Sequence, residues 1–219
     1  MGHNLVSQAS TMTLNGVPND IINNLNPLTL IVLIPIMDFV VFPALRHHNI
    51  HFTPLKRICC GFFIASMAMV ASTVIQIYIY RTNPCGQHAN RCTQTRPSPI
   101  SVWWQAIPYI LTATSEIFTV CTSLEYAFTK APRNMRSLVM GVNILMHAFA
   151  AAIGQALVPL SEDPLLVWNY GVVAIVAFVA GILFWVCNRK LDAEEDRLNM
   201  LKHSEEFNRM QPRGAQAEV

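Results

Sequence analysis

The 219-residue chain is 53% hydrophobic and 13% charged, with a formal net charge of +2, whereas an ordinary soluble domain carries roughly 25% charged residues. The charge is also segregated: no Lys or Arg falls between Arg57 and Arg81, between Arg96 and Lys130, or between Arg136 and Arg189. That pattern excludes a basic nucleic-acid binder and predicts an all-α membrane protein with five transmembrane helices. A secreted disulfide scaffold is excluded too, because Cys59, Cys60, Cys121 and Cys187 lie in apolar stretches, where a thiol behaves as a small hydrophobe.

Residues 1–23 are polar and rich in Asn. They lack the basic start and apolar run of a signal peptide, and Val6 stands where a myristoylation pattern needs Ser or Thr. Gly16-Val-Pro-Asn-Asp20 reads as a turn. The first span is expected over residues 24–45, with Pro27 near its start, Pro35 and Pro43 as kinks or stops, and Asp38 past its middle. A loop with His47, His48 and His51 leads to the second span, residues 55–80. A proline-rich loop follows, with Cys85 and Cys92 bracketing a short stretch; a disulfide or two free thiols both fit there. Cys85, His88 and Cys92 supply three metal-type ligands without a second cluster, so no metal is expected. The third span covers residues 103–129, the fourth 134–157 and the fifth 165–187. The division is thus a leading segment (1–23), a five-helix bundle (24–188) and a charged tail (189–219) whose first part extends the last helix.

The most informative stretch is the third span. At ~1.5 Å per residue it is long enough to cross a bilayer with tilt, and Glu116 stands at its centre. Thr112, Ser115, Glu116, Thr119 and Ser123 recur at helical spacing, so they form a polar stripe that cannot face lipid. A carboxylate at that depth needs a cation, a set of hydrogen bonds or a proton, and no span places a Lys or Arg at its level. It is a functional-site candidate on that ground. The other ionisable groups within the spans are Asp38, Glu125 and His147. Asp38 is expected to pair with Lys56 or Arg57, as a gate or as a structural link. Glu125 is expected to pair with Lys130 or a neighbouring Arg. His147 is either hydrogen-bonded packing or a proton relay. No P-loop, nucleophile elbow, zinc-protease motif or CxxC pair occurs, so there is nothing for an enzyme reading to rest on. Placing loops 46–57 and 130–136 and the tail inside gives 12 Lys and Arg on the cytoplasmic side against 3 outside. By the positive-inside rule the N-terminus lies outside and the tail in the cytoplasm.

Leu124-Glu-Tyr-Ala-Phe-Thr-Lys-Ala-Pro-Arg-Asn-Met-Arg-Ser137, with Glu116 eight residues before it, resembles the tenth-helix signature of proton-coupled oligopeptide transporters. Asn26-Pro27, Ile34-Pro-Ile-Met-Asp38 and Pro43 resemble that family's eighth helix, and Phe52-Thr-Pro-Leu-Lys-Arg57 the start of its ninth. The fungal di- and tripeptide transporters are the most similar group, and the resemblance covers nearly all of residues 4–190. It implies a major-facilitator carrier of twelve helices in two halves, of which these five are helices eight to twelve, with the substrate site between the halves. It also implies that Glu116 binds the peptide's amino terminus and pairs for part of the cycle with a lysine of the other half. Asn26 would contact the same end of the peptide, Ser115 and Thr119 would flank it, and Asn4 and Gln8 would sit on the remainder of the seventh helix. The family's first-helix E-x-x-E-R-F motif and the first six helices are absent.

The expected function is therefore the C-terminal part of a proton/peptide symporter, with no cofactor beyond protons as the coupling ion. The expected partners are di- and tripeptides, the lipid bilayer, and the N-terminal six-helix half or a full-length carrier, with no nucleic acid. The expected location is the plasma membrane. The chain is read as truncated and not competent for transport alone. Two alternatives stand beside this: a non-transporting membrane protein derived from a carrier, and a family member for another small solute.

Overall fold

The structure, a computed structural model, describes residues 24–47, 52–83, 98–156 and 165–210 together with Leu5, Gln8, Met12 and Thr13. Five helical stretches are long and apolar enough to cross a membrane: Leu25–Leu45, Pro54–Thr82, Val102–Lys130, Arg136–Gln155 and Leu166–Glu194. Mean hydropathy is highest in the fifth, at 2.5, and lowest in the third, at 1.2, where the polar stripe lies.

The first span is α1 (Leu25–Ile36), a π-helical turn (Met37–Val41) and α2 (Phe42–His47). Pro35 within α1 has no N–H to return to the preceding turn. The register then widens around Asp38, where the Phe42 amide bonds to the Met37 carbonyl, just before Pro43 interrupts the ladder again. The second span, α3 (Pro54–Thr82), is continuous; Thr53 caps it by accepting from the Lys56 amide at 3.4 Å, with Pro54 at the first helical position.

The third span begins with a 3₁₀ turn (Val102–Gln105). It continues as α4 (Ala106–Glu116), passes through a second π-helical turn (Ile117–Cys121) and ends as α5 (Thr122–Lys130). Here no proline forces the wide turn. Instead Thr119 Oγ1 donates to the Ser115 carbonyl at 2.8 Å and Ser123 Oγ to that of Val120 at 2.9 Å, bonds that compete with the ladder. A short 3₁₀ turn leads to α6 (Arg136–Ala156), the fourth span. The last helix, α7 (Leu166–Met210), runs unbroken for 45 residues. The expected tail therefore begins as a direct extension of the fifth span.

One feature lies outside the all-α expectation. Met12–Thr13 (β1) pairs in parallel with Ser98–Ser101 (β2), Met12 opposite Ser98. Pro99 favours extended backbone at Ser98, which suits it to such a pairing. Met12 is thereby carried into the core.

Two apolar clusters hold the bundle. One joins Leu5, Met12, Met69, Ile79, Tyr109, Leu166 and Tyr170. The other gathers Met37, Ile117 and Phe118, with Leu33, Phe42 and Phe52 packed around them. Phe52 meets Phe118 edge-on at 6.0 Å between ring centroids, and the Arg57 guanidinium lies 4.2 Å from the Phe42 ring centroid. The second and fifth spans are joined by a Ser66 Oγ bond to the Ala174 carbonyl at 2.9 Å. The second and third spans approach closely at Gly61. A Cβ there would stand 2.6 Å from Thr119 Cγ2 and 3.1 Å from the Thr119 amide nitrogen.

Candidate functional site

The third span's polar stripe lines a cavity of about 640 Å³, within the range of small-molecule sites. Thr112, Ser115, Glu116, Thr119 and Ser123 all border it. Asn143 and His147 face them from the fourth span, and Phe62, Met69 and Phe184 belong to the walls supplied by the second and fifth. Among the described residues no Lys or Arg lines it. The cavity is thus mostly apolar with one carboxylate, an arrangement complementary to a small cationic group held among apolar side chains.

Glu116 sits where α4 gives way to the wide turn. Its Oε2 accepts from Asn26 Nδ2 at 3.2 Å, across 90 residues of sequence. Two residues singled out separately are thereby joined. The other Asn26 amide atom, Oδ1, is buried without a hydrogen-bond partner among the described residues, so the amide keeps an acceptor to offer a donor at the same place. Ser115 is buried; Thr119 is half-buried and spends its hydroxyl on the Ser115 carbonyl. Asp38 lies in the first span's own π turn. Met37 of that turn packs with Ile117 and Phe118 of the third span's wide turn, so the two wide turns lie against each other.

The ion pairs fall elsewhere than expected. Lys56 Nζ pairs with Asp192 Oδ2 at 3.4 Å, and Thr53 Oγ1 donates to Asp192 Oδ1 at 2.5 Å. Asp192, in the stretch read as tail, is buried and clamps the fifth span to the start of the second. Lys56 is therefore engaged by Asp192, and among the described residues Asp38 has no ion pair. Arg57 packs against Phe42 and donates Nε to the Phe52 carbonyl at 3.1 Å. Glu125 is exposed and has no ion pair among the described residues, while Lys130 Nζ lies 5.8 Å from the Tyr126 ring centroid. Cys85 and Cys92, and Asn4, lie outside the described residues. Two residues of this architecture escaped the sequence reading: Asn143, one turn from His147 on the same helix face, and Asp192, whose position among tail charges hid it.

A family model described as the POT family matches residues 1–169. The chain belongs to the POT family. This POT chain is 41% identical over 202 residues to the probable peptide transporter ptr2 of Schizosaccharomyces pombe, covering 92% of the chain and 32% of that relative. It is 40% identical over 195 residues to the MFS-type transporter ucsM of an Acremonium species, covering 89% of the chain and 32% of that relative. It therefore spans about a third of the length of these curated relatives. In fold it matches the crystal structure of an auto-inhibited POT family peptide transporter with a TM-score of 0.61. That match has 21% identity and covers 86% of the POT chain and 39% of the solved one.

Proposed function

We propose that this chain forms the C-terminal part of a proton-coupled carrier that imports di- and tripeptides, in which Glu116 binds the peptide's amino terminus and takes up the coupling proton. The reading rests above all on the Asn26–Glu116 hydrogen bond beside a cavity with no described Lys or Arg in its lining. A carboxylate held by one neutral amide keeps its charge available to a peptide ammonium. Membership of a family of proton-coupled carriers, and the name of the S. pombe relative, support it. Ser115 and Thr119 flank the carboxylate; Asp38 and His147 are the gate or proton-relay groups. The N-terminal six helices supply the opposite wall and the cation that Glu116 meets when no peptide is bound. The bundle comprises residues 24–188, following residues 1–23, with the tail 189–219 in the cytoplasm and the N-terminal side outside, in the plasma membrane.

The test is Glu116→Gln in the full carrier containing this chain, with uptake of a labelled dipeptide as the readout. Uptake is expected to fall to background with the surface amount unchanged; undiminished uptake would remove Glu116 from the site. A second reading, that the solute is another small molecule, is favoured by the ucsM relative, whose description specifies no peptide. Uptake insensitive to an excess of dipeptides would select it.

A further inference from the structure

The buried face of the third span does not become apolar beyond Thr112. Gln105, Tyr109, Thr112 and Glu116 follow one another at i, i+4, i+7 and i+11, so they stand in a row over about 16 Å of helix. Gln105 is 1% exposed, Tyr109 2% and Thr112 8%. On the second span, Ser72 is joined to Gln105 through Gln8, and Gln76, one turn along the same helix face, is 1% exposed. Gln8 ties the two spans together. Gln105 Nε2 donates to Gln8 Oε1 and to the Leu5 carbonyl, both at 3.0 Å, and Gln8 Nε2 donates to the Ser72 carbonyl at 3.0 Å.

This row has more hydrogen-bonding capacity than its described neighbours use. Both side-chain amide atoms of Gln76, Oε1 of Gln105, the Tyr109 hydroxyl and the Thr112 hydroxyl are buried without a partner among the described residues. Five such atoms along one seam are costly if the seam is dry. All of these groups are neutral, and they include both donors and acceptors. That chemistry suits water, each molecule of which makes about three hydrogen bonds to buried polar groups.

We propose that the second and third spans hold a chain of bound water on Gln76, Gln105, Tyr109 and Thr112, running from the end of the bundle where the third span begins to the cavity that contains Glu116. Its role rests on the carrier reading given above: it brings solvent, and with it protons, to the Glu116 carboxylate while a peptide fills the cavity. Other titratable side chains near that end of the chain are His147 across the cavity, and Cys121 with Asp38 by the wide turns.

Radiolytic hydroxyl labelling tests it directly, because a buried side chain is modified only where water touches it. In the full carrier containing this chain, reconstituted in lipid, Tyr109 should label about fivefold faster than Phe118 after correction for intrinsic reactivity. Phe118 is buried too, but its cluster with Met37 and Ile117 has no buried unpartnered polar atom among its own side chains. Thr112→Val, nearly isosteric, and Gln76→Leu should each slow Tyr109 labelling while leaving Phe118 unchanged. Tyr109 labelling at the Phe118 rate would overturn the water chain, and so would labelling that neither variant slows. Because the readout needs no substrate, a dry Tyr109 in a carrier with normal dipeptide uptake would sink this proposal alone. A labelled Tyr109 in a protein with no uptake would sink the carrier reading alone.

Discussion

The second and fifth spans and the first and fourth differ in how they are held. The second and fifth lie along each other, joined by Ser66 to the Ala174 carbonyl and clamped by Lys56, Thr53 and Asp192. The first and fourth are nearly uncovered. Only 6% and 0% of their most apolar stretches are buried, against 39% for the second span and 17% for the fifth. Leu28, Ile31 and Phe39 of the first, and Leu138, Ile144 and Phe149 of the fourth, are exposed. Yet the loosely held pair carries Asn26, Asp38, Asn143 and His147, the groups that face or neighbour Glu116. One pair of helices is bound into the core, and the other sets polar groups beside a third span that both share.

If that division holds, the largest stability effect comes from the scaffold. Gly61→Val drives two methyl groups into Thr119 and its backbone, and should cost about 3 kcal/mol, seen as loss of a monodisperse peak after detergent extraction. Asp192→Ala leaves Thr53 without its acceptor and removes the carboxylate from Lys56, and should cost about 2 kcal/mol in thermal unfolding of the solubilised protein. The reactive pair should behave in the opposite way. Asn26→Leu removes the donor to Glu116; dipeptide uptake by the full carrier is expected to drop about tenfold, some 1.4 kcal/mol, with an unchanged melting temperature. His147→Gln is the mildest, about threefold in uptake with no effect on stability, since His147 lines the cavity without a described hydrogen bond to the carboxylate. A melting temperature that fell more for Asn26→Leu than for Asp192→Ala would collapse the distinction between the two pairs.

The five spans were legible because charge punctuates them. Arg57, Arg81, Arg96, Lys130 and Arg136 mark the boundaries, and hydropathy fills the intervals. The polar stripe was legible as well, because helical spacing alone puts Thr112, Ser115, Glu116, Thr119 and Ser123 on one face, and all five border one cavity. What spacing does not encode is the partner on another helix. The Asn26–Glu116 bond, the Gly61 approach and the Asp192 clamp depend on how spans pack, and one sequence carries no record of that. The wide turns at Asp38 and after Glu116 were hidden for a related reason. Proline marks only the first, and the second accompanies hydroxyl-to-carbonyl bonds of a kind that Ser72 and Thr73 also make within the unbroken second span, so they do not flag a wide turn.

The length of α7 has a mechanical meaning. Its 45 residues make a rod of about 67 Å, more than twice the hydrocarbon thickness of a bilayer. Asp192 grips it near the end of the membrane-crossing part, and 18 residues to Met210 project beyond that grip, about 27 Å. Such a rod multiplies angle into distance. A tilt of about 10° at the grip would sweep the far end through about 5 Å, so the rod turns a small angle at the membrane helices into a larger displacement at its tip.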